Sequence, residues 1–190
     1  MQFPLPHICR CPPKAAAVTL VLVMTVAAGG YAVLHKTSAP ADTFPDWQPV
    51  INSHWSYNFK LPASFSLVSK SDADELMRYR ASGTIFEAYV TQAASLKAYL
   101  RDLDTERATG FEGQPSVTIV EARRASVDGL SAQEREFRVN AAGFSAMETM
   151  AFDGGKIYRF STLFEDAPQI TAEGRRLHRN ILSTVRFRPE

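Results

Sequence analysis

FSAMETMAFDGGKIYRFSTLF, residues Phe144 to Phe164, is the stretch whose reading decides the fold. Phe144–Phe152 and Ile157–Leu163 read as two strands, with Asp153-Gly154-Gly155 between them. An Asp-Gly pair supplies the backbone that a tight hairpin turn requires. Two antiparallel strands are therefore expected. Upstream, Ala132–Val139 (AQEREFRV) predicts a third strand, reached through a turn at Asn140–Gly143. Val117–Ala122 predicts a fourth, with Asp128-Gly129 as the turn dipeptide. Ala132–Val139 and the two strands of the quoted stretch form an antiparallel meander.

Downstream, Asp166 is placed to cap a final helix with Pro168 in its first turn, where a missing N–H costs nothing. Ile170, Leu177 and Ile181 fall on one side and are expected to face the sheet. Gly174 would cost about 1 kcal/mol in an exposed helix, so it is expected to permit close packing. Arg175 and Arg179, at i and i+4, are expected to face solvent, with His178 on the same solvated surface. Val185 and Phe187 alternate in a closing edge strand.

Toward the amino end, Ser95 opens a helix in which Leu96, Tyr99, Leu100 and Leu103 share one face, with Gly110 and Gly113 in its exit loop. Thr84–Thr91 (TIFEAYVT) predicts a strand covered on both faces. Ser71, with Asp74 three residues on, predicts a short helix carrying Leu76, Met77 and Tyr79. Trp55, Tyr57, Phe59 and Leu61 alternate in an aromatic strand that Pro62 stops. Phe65 and Leu67 continue in a second short strand, and LPAS between the two predicts a hairpin or a bent pair.

This order of elements resembles the PsbP-like and DcrB-like superfamily. LPASFSLV after an aromatic strand, VDGLSAQEREFRV, the hairpin quoted above and the closing RNILSTVRF carry the resemblance, which spans Trp55 to Arg188. It implies an α+β fold, an antiparallel sheet of about six to seven strands flanked by helices as an α/β/α sandwich. The superfamily includes an extrinsic photosystem II subunit, bacterial envelope proteins, a Ran-binding nuclear-import factor and secretion-effector chaperones. It implies binding of other macromolecules more often than catalysis, and it supplies no ligand motif to carry over.

The run Ala15–Leu34 (AAAVTLVLVMTVAAGGYAVL) contains no charged residue. About 20 such residues suffice to cross a bilayer core. Arg10 and Lys14 precede it, and Lys36, Asp42 and Asp46 follow. By the positive-inside tendency the amino end stays in the cytoplasm and the body is exported, periplasmic if the cell is Gram-negative. The expected organisation is a head over 1–14, a transmembrane signal anchor over 15–34, a linker over 35–50 and a globular domain over 51–190. A cleaved signal peptide is the rival reading, with sites at Ala39-Pro40-Ala41 or near Ala28, but the run exceeds the roughly 7–15 residues of an ordinary signal core.

Composition excludes several functions. The chain of 190 residues carries a net charge of +1, and setting aside Arg10, Lys14, Lys36 and Asp42 brings the body to about −1. That is no nucleic-acid footprint, and no nucleic-acid partner is expected. Cys9 and Cys11 both precede the apolar run, so the body needs no disulfides. Gly143-Phe144-Ser145-Ala146-Met147 lacks the second glycine of a hydrolase elbow. Asp102-x-Asp104-x-Glu106 imitates a calcium loop but has Arg107 where glycine is required. Glu134, Glu136 and Glu148 could serve acid–base work, although cross-strand pairing with Arg135 or Arg138 is the simpler reading. No catalytic, cofactor-binding or metal-ligating residue is assigned. Arg175, Arg176 and Arg179 form the one candidate surface, for an anionic lipid or an acidic partner.

The function expected is a membrane-tethered, extracytoplasmic binding or assembly module of the cell envelope, with a protein partner there and no enzymatic activity. The alternative is an envelope protein that binds a small molecule or lipid between sheet and helix.

Overall fold

The computed structural model describes residues 44–71, 75–109, 117–139 and 143–187. Ten strands and two helices follow in order: β1 (Gln48–Asn52), β2 (Tyr57–Leu61), β3 (Ser66–Lys70), β4 (Leu76–Ala81), β5 (Thr84–Gln92), α1 (Leu96–Thr109), β6 (Val117–Val127), β7 (Leu130–Val139), β8 (Phe144–Asp153), β9 (Lys156–Phe164), α2 (Ala172–Ser183) and β10 (Arg186–Phe187). Among the described residues no helix is long and apolar enough to cross a membrane. The run 15–34 lies outside them, as do Gly110, Gly113 and Asn140.

The hairpin forms as its sequence dictates. β8 and β9 pair antiparallel from Asp153↔Lys156 to Ser145↔Phe164. Gly154 and Gly155 both adopt positive φ, which side chains disfavour and this turn demands. β7 joins β8 and β6 joins β7, completing the expected meander and adding a fourth strand to it. On the other side β5 pairs with β9 along its whole length, then β4 and β3 follow. The result is a seven-stranded antiparallel sheet of order β3-β4-β5-β9-β8-β7-β6.

Period two sorts its side chains. One face carries Met77, Phe86, Ala88, Val90 and Phe160, and β2 lies against it with Tyr57, Phe59 and Leu61 no more than 1% exposed. Ile181, Leu182 and Val185, from α2 and just beyond it, complete this core. The opposite face carries Met150 and Ile157, covered by Leu96, Tyr99, Leu100 and Leu103 of α1. Three layers result: α1, the large sheet, then α2 beside a small sheet β1-β2-β10. The α+β reading and the strand count hold, but one outer layer is part sheet.

Four local expectations are corrected. Leu76–Ala81 is strand β4, not a helix, because Met77 and Tyr79 must face one core at a spacing of two. β2 does not hairpin with β3. A turn closed by Phe65 N–H donating to the Pro62 carbonyl (3.0 Å) sends the chain to the other sheet, where β3 pairs with β4. The partners of β2 are β1 and β10, and β1 begins at Gln48, inside the stretch read as linker. Finally, Thr171 caps α2 by accepting from Gly174 N–H (3.0 Å). Asp166 instead takes a positive φ in the turn after β9.

Gly174 does the work expected of it. A Cβ there would stand 2.9 Å from Phe164 Cε1 and 3.2 Å from Ile170 Cγ2, so α2 approaches β9 more closely than any larger residue allows. Gly174→Ala is expected to destabilise by roughly 1–2 kcal/mol, the overpacking cost exceeding the gain in helix propensity. Urea unfolding checks this, and a rise in midpoint would show that Phe164 yields freely.

Candidate functional site

The polar groups worth examining lie where the two helices meet the large sheet. On the α2 face, β7 presents Glu134 and Glu136, both buried. Glu134 accepts from Arg123 Nε (2.8 Å), its neighbour across β6, and from Arg179 Nη2 (3.1 Å) on α2. Glu136 takes a two-pronged bond from Arg175, Nε at 2.9 Å and Nη2 at 2.7 Å. These bonds to Glu136 raise the Arg175 pKa above its ordinary value. Arg179 is exposed and Arg175 half-buried, and each is also tied from helix to sheet through a carboxylate. Arg176 is the most exposed of the three, with Glu173 at 4.0 Å. The three candidate arginines share a helix but not a role.

His178 corrects the reading of a solvated face. It is fully buried between β8 and β9, where Nε2 lies 2.9 Å from Thr149 Oγ1 and Nδ1 lies 2.8 Å from Thr162 Oγ1. A neutral imidazole satisfies both threonines, one ring nitrogen donating and the other accepting. Burial drives its pKa from 6.5 to about 4; Glu134 opposes the shift, while Arg179 and Arg123 add to it. The signal was in the spacing: Gly174, His178, Ile181 and Leu182 are the buried stripe of α2.

On the α1 face, Glu148 is 1% exposed in the middle of β8. Arg107 of α1 clamps it with Nη2 at 3.1 and 2.9 Å from its two oxygens, and Arg159 Nε stands 3.6 Å away. Arg107 also lies over the Phe137 ring and Arg159 over Tyr89. Arg159 Nη1 donates to the Tyr99 hydroxyl (3.3 Å), whose pKa is raised, chiefly by burial. Arg135, opposite Glu148 in register, instead grips Asp104, Nη2 to Oδ2 at 3.0 Å. The acids find arginines on other elements rather than the expected Arg135 and Arg138.

The remaining sequence candidates separate. Ser145 is buried within strand β8, not on a strand-to-helix turn. Asp104 pairs with Arg135, while Asp102 and Glu106 line an open groove of about 360 Å³ with Tyr89, Tyr99 and Arg159. Among the described residues no group of three His, Cys, Asp or Glu is placed to hold a metal ion. A second groove of about 360 Å³ runs beside Arg123, Arg124, Glu134 and Arg179.

No family model and no curated protein sequence matches the chain. Solved structures do. Cyanobacterial PsbP from Synechocystis superposes with a TM-score of 0.58 at 14% identity, covering 79% of this chain and 97% of that one. A protein of Bacteroides thetaiotaomicron gives 0.52 at 8% identity over 76% of this chain and 50% of its own. LpqN of Mycobacterium tuberculosis, described as involved in cell envelope biogenesis, gives 0.49 at 11%, over 75% and 86%. The body has the PsbP-like fold.

Two measurements probe these polar sites. His178 binds protons less readily folded than unfolded, so its contribution is present above pH 6.5 and is lost as the pH falls toward 4. Stability should drop by about 3 kcal/mol over that window, and His178→Gln should flatten this part of the profile. Equal slopes in both proteins would assign the loss to other groups. Glu148→Ala should cost roughly 3–5 kcal/mol by stranding Arg107 and Arg159, measured by denaturant unfolding.

Proposed function

We propose that the chain is a membrane-tethered binding or assembly module that works outside the cytoplasm, in the cell envelope, and catalyses no reaction. One observation carries the non-enzymatic reading. The buried carboxylates that acid–base chemistry would use, Glu134, Glu136 and Glu148, are each engaged by arginines from other elements. Charge is spent on holding layers together, so exposed surface is what the body offers a partner. The PsbP-like fold supports the same reading, because the resemblance implies binding of macromolecules more often than catalysis.

The tether is read from Ala15–Leu34 and its uncharged length. The charge asymmetry around it supports an exported body. A protein partner in the envelope follows from that placement. For an anionic surface, α2 offers Arg176, whose pairing with Glu173 is long at 4.0 Å, and the exposed part of Arg179. A lipid-binding role has less support. The aromatic face is packed ring to ring, Phe59 against Phe86 at 5.4 Å and Tyr57 against Phe160 at 5.9 Å, so an apolar ligand would have to displace core residues.

Fractionation tests the placement. The full chain is expected to stay with membranes through a high-salt wash, and its body to resist protease added from the cytoplasmic side. Recovery of a soluble body with a new amino terminus near Asp42 would replace the anchor with a cleaved leader.

A further inference from the structure

Two guanidiniums share one carboxylate where α2 meets β6. Arg123 Nε and Nη2 lie 2.8 and 2.7 Å from Glu134 Oε1, and Arg179 Nη2 lies 3.1 Å from the same oxygen. The Glu134 side chain is 6% exposed, whereas those of Arg123 and Arg179 are 42% and 44% exposed. The carboxylate thus lies beneath, and both arginines border the open groove of about 360 Å³ between strand and helix. Asp128, the other carboxylate lining it, is held elsewhere: Oδ2 accepts from Phe187 N–H (2.9 Å), and Arg186 Nε stands 3.9 Å from Oδ1. Glu148 also meets two arginines, but these are 17% and 22% exposed, and Asp102 and Glu106 line the groove beside Arg159. Of the two arginine pairs, the one on Glu134 is therefore the one whose excess charge opens onto a groove.

We propose that this groove binds a phosphate group, carried by a small soluble ester or by a lipid headgroup, between Arg123 and Arg179. Arg123 Nη1 and Arg179 Nε and Nη1 lie outside the contacts with Glu134 and remain to donate. Planar guanidinium forks match phosphate oxygens in pairs. A phosphate monoester carries about −1.5 to −2 charges at neutral pH and three acceptor oxygens. It can therefore take bonds from both arginines at once, where a carboxylate has only two oxygens to share between two forks. Glu134 holds the inner side of each guanidinium, so the pair is positioned before a ligand arrives. The groove is also larger than a bare ion needs, its volume falling within the roughly 300–1,000 Å³ of small-molecule sites. Ala125 and Leu182 line it as well, an apolar wall for the carbon chain of the ester.

Calorimetry tests the site independently of where the body resides. Full chain in a non-ionic detergent is titrated with glycerol phosphate at fixed ionic strength. Arg123→Gln and Arg179→Gln should each weaken binding by about tenfold. Both also loosen a tie to Glu134, so Ser183 supplies variants that leave those ties alone. It is exposed, lines the groove and donates to the Asn180 carbonyl (2.7 Å). Ser183→Glu should weaken binding by about tenfold by setting a negative charge beside the ligand, and Ser183→Lys should tighten it, both with urea midpoints close to wild type. Arg176→Gln removes one positive charge from α2 away from the groove lining and should leave affinity within about twofold. A loss at Arg176 equal to those at Arg123 and Arg179 would trace binding to the general charge of the helix and overturn the site. So would the absence of saturable binding, or Ser183→Glu and Ser183→Lys acting alike. A soluble short-chain phosphatidic acid separates the two sources: tighter binding than glycerol phosphate assigns the site to a lipid headgroup, and equal or weaker binding assigns it to a soluble ester.

Discussion

A strand turns its side chains to opposite faces at each step, and in β7 that geometry acts on the charge sequence Glu134-Arg135-Glu136. The two glutamates face α2 and meet Arg179 and Arg175. The arginine between them faces α1 and meets Asp104. One tripeptide therefore ties both helices to the sheet, from opposite sides. Because Glu134, Arg135 and Glu136 are all largely buried, each must have a partner, and a helix shifted by one residue would leave a charge stranded. Apolar packing supplies the driving force for docking; the charges restrict where along the sheet each helix settles.

The aromatic core closes the domain in a different way. Phe59 touches Tyr57, Tyr79, Phe86 and Phe160, ring centroids 5.4 to 6.3 Å apart, and so joins β2 to β4, β5 and β9 at once. The first and last strands of the described residues, β1 and β10, both pair with β2, and Lys60 N–H donates to Thr184 Oγ1 (2.8 Å) across 124 positions. β2 is held by partners far away in sequence, which costs loop-closure entropy before any contact is gained. Burying Tyr57, Phe59 and Leu61 offsets that cost at roughly 1.5–3 kcal/mol for each side chain. The small sheet is thus stable only as a lid on the large one.

Which features were legible in the sequence follows from this division. Local signals read correctly: the Asp153-Gly154-Gly155 hairpin, the α1 stripe from Leu96 to Leu103, and the close approach at Gly174. Signals that depend on distant partners did not. Pro62 and LPAS look the same whether the chain doubles back or crosses to another sheet, and only the pairing of β2 with β10 distinguishes them. Met77 and Tyr79 fit either a strand or a helical turn until β5 supplies the neighbour. At the candidate site, Arg175 and Arg179 read as a free basic face because their acids lie 39 and 45 positions away. His178 was misread for a related reason. The arginines beside it suggested water, although its spacing to Gly174, Ile181 and Leu182 already marked the buried stripe.

The buried acids share one further property. Glu134, Glu136 and Glu148 all meet arginine. Lysine would need a costlier desolvation and offers no planar fork, whereas guanidinium engages both carboxylate oxygens and does not lose its proton. His178 is the exception among the buried bases: it is held neutral between two hydroxyls and would acquire a charge with no carboxylate in direct contact. Its hydrogen-bond partners are the two threonines, with Glu134, Arg179 and Arg123 acting on it from further off, and an added proton would leave one of those hydroxyls facing a second donor. The arginine ties restrict where α2 settles, and the stability of that packing falls as His178 takes up a proton at low pH.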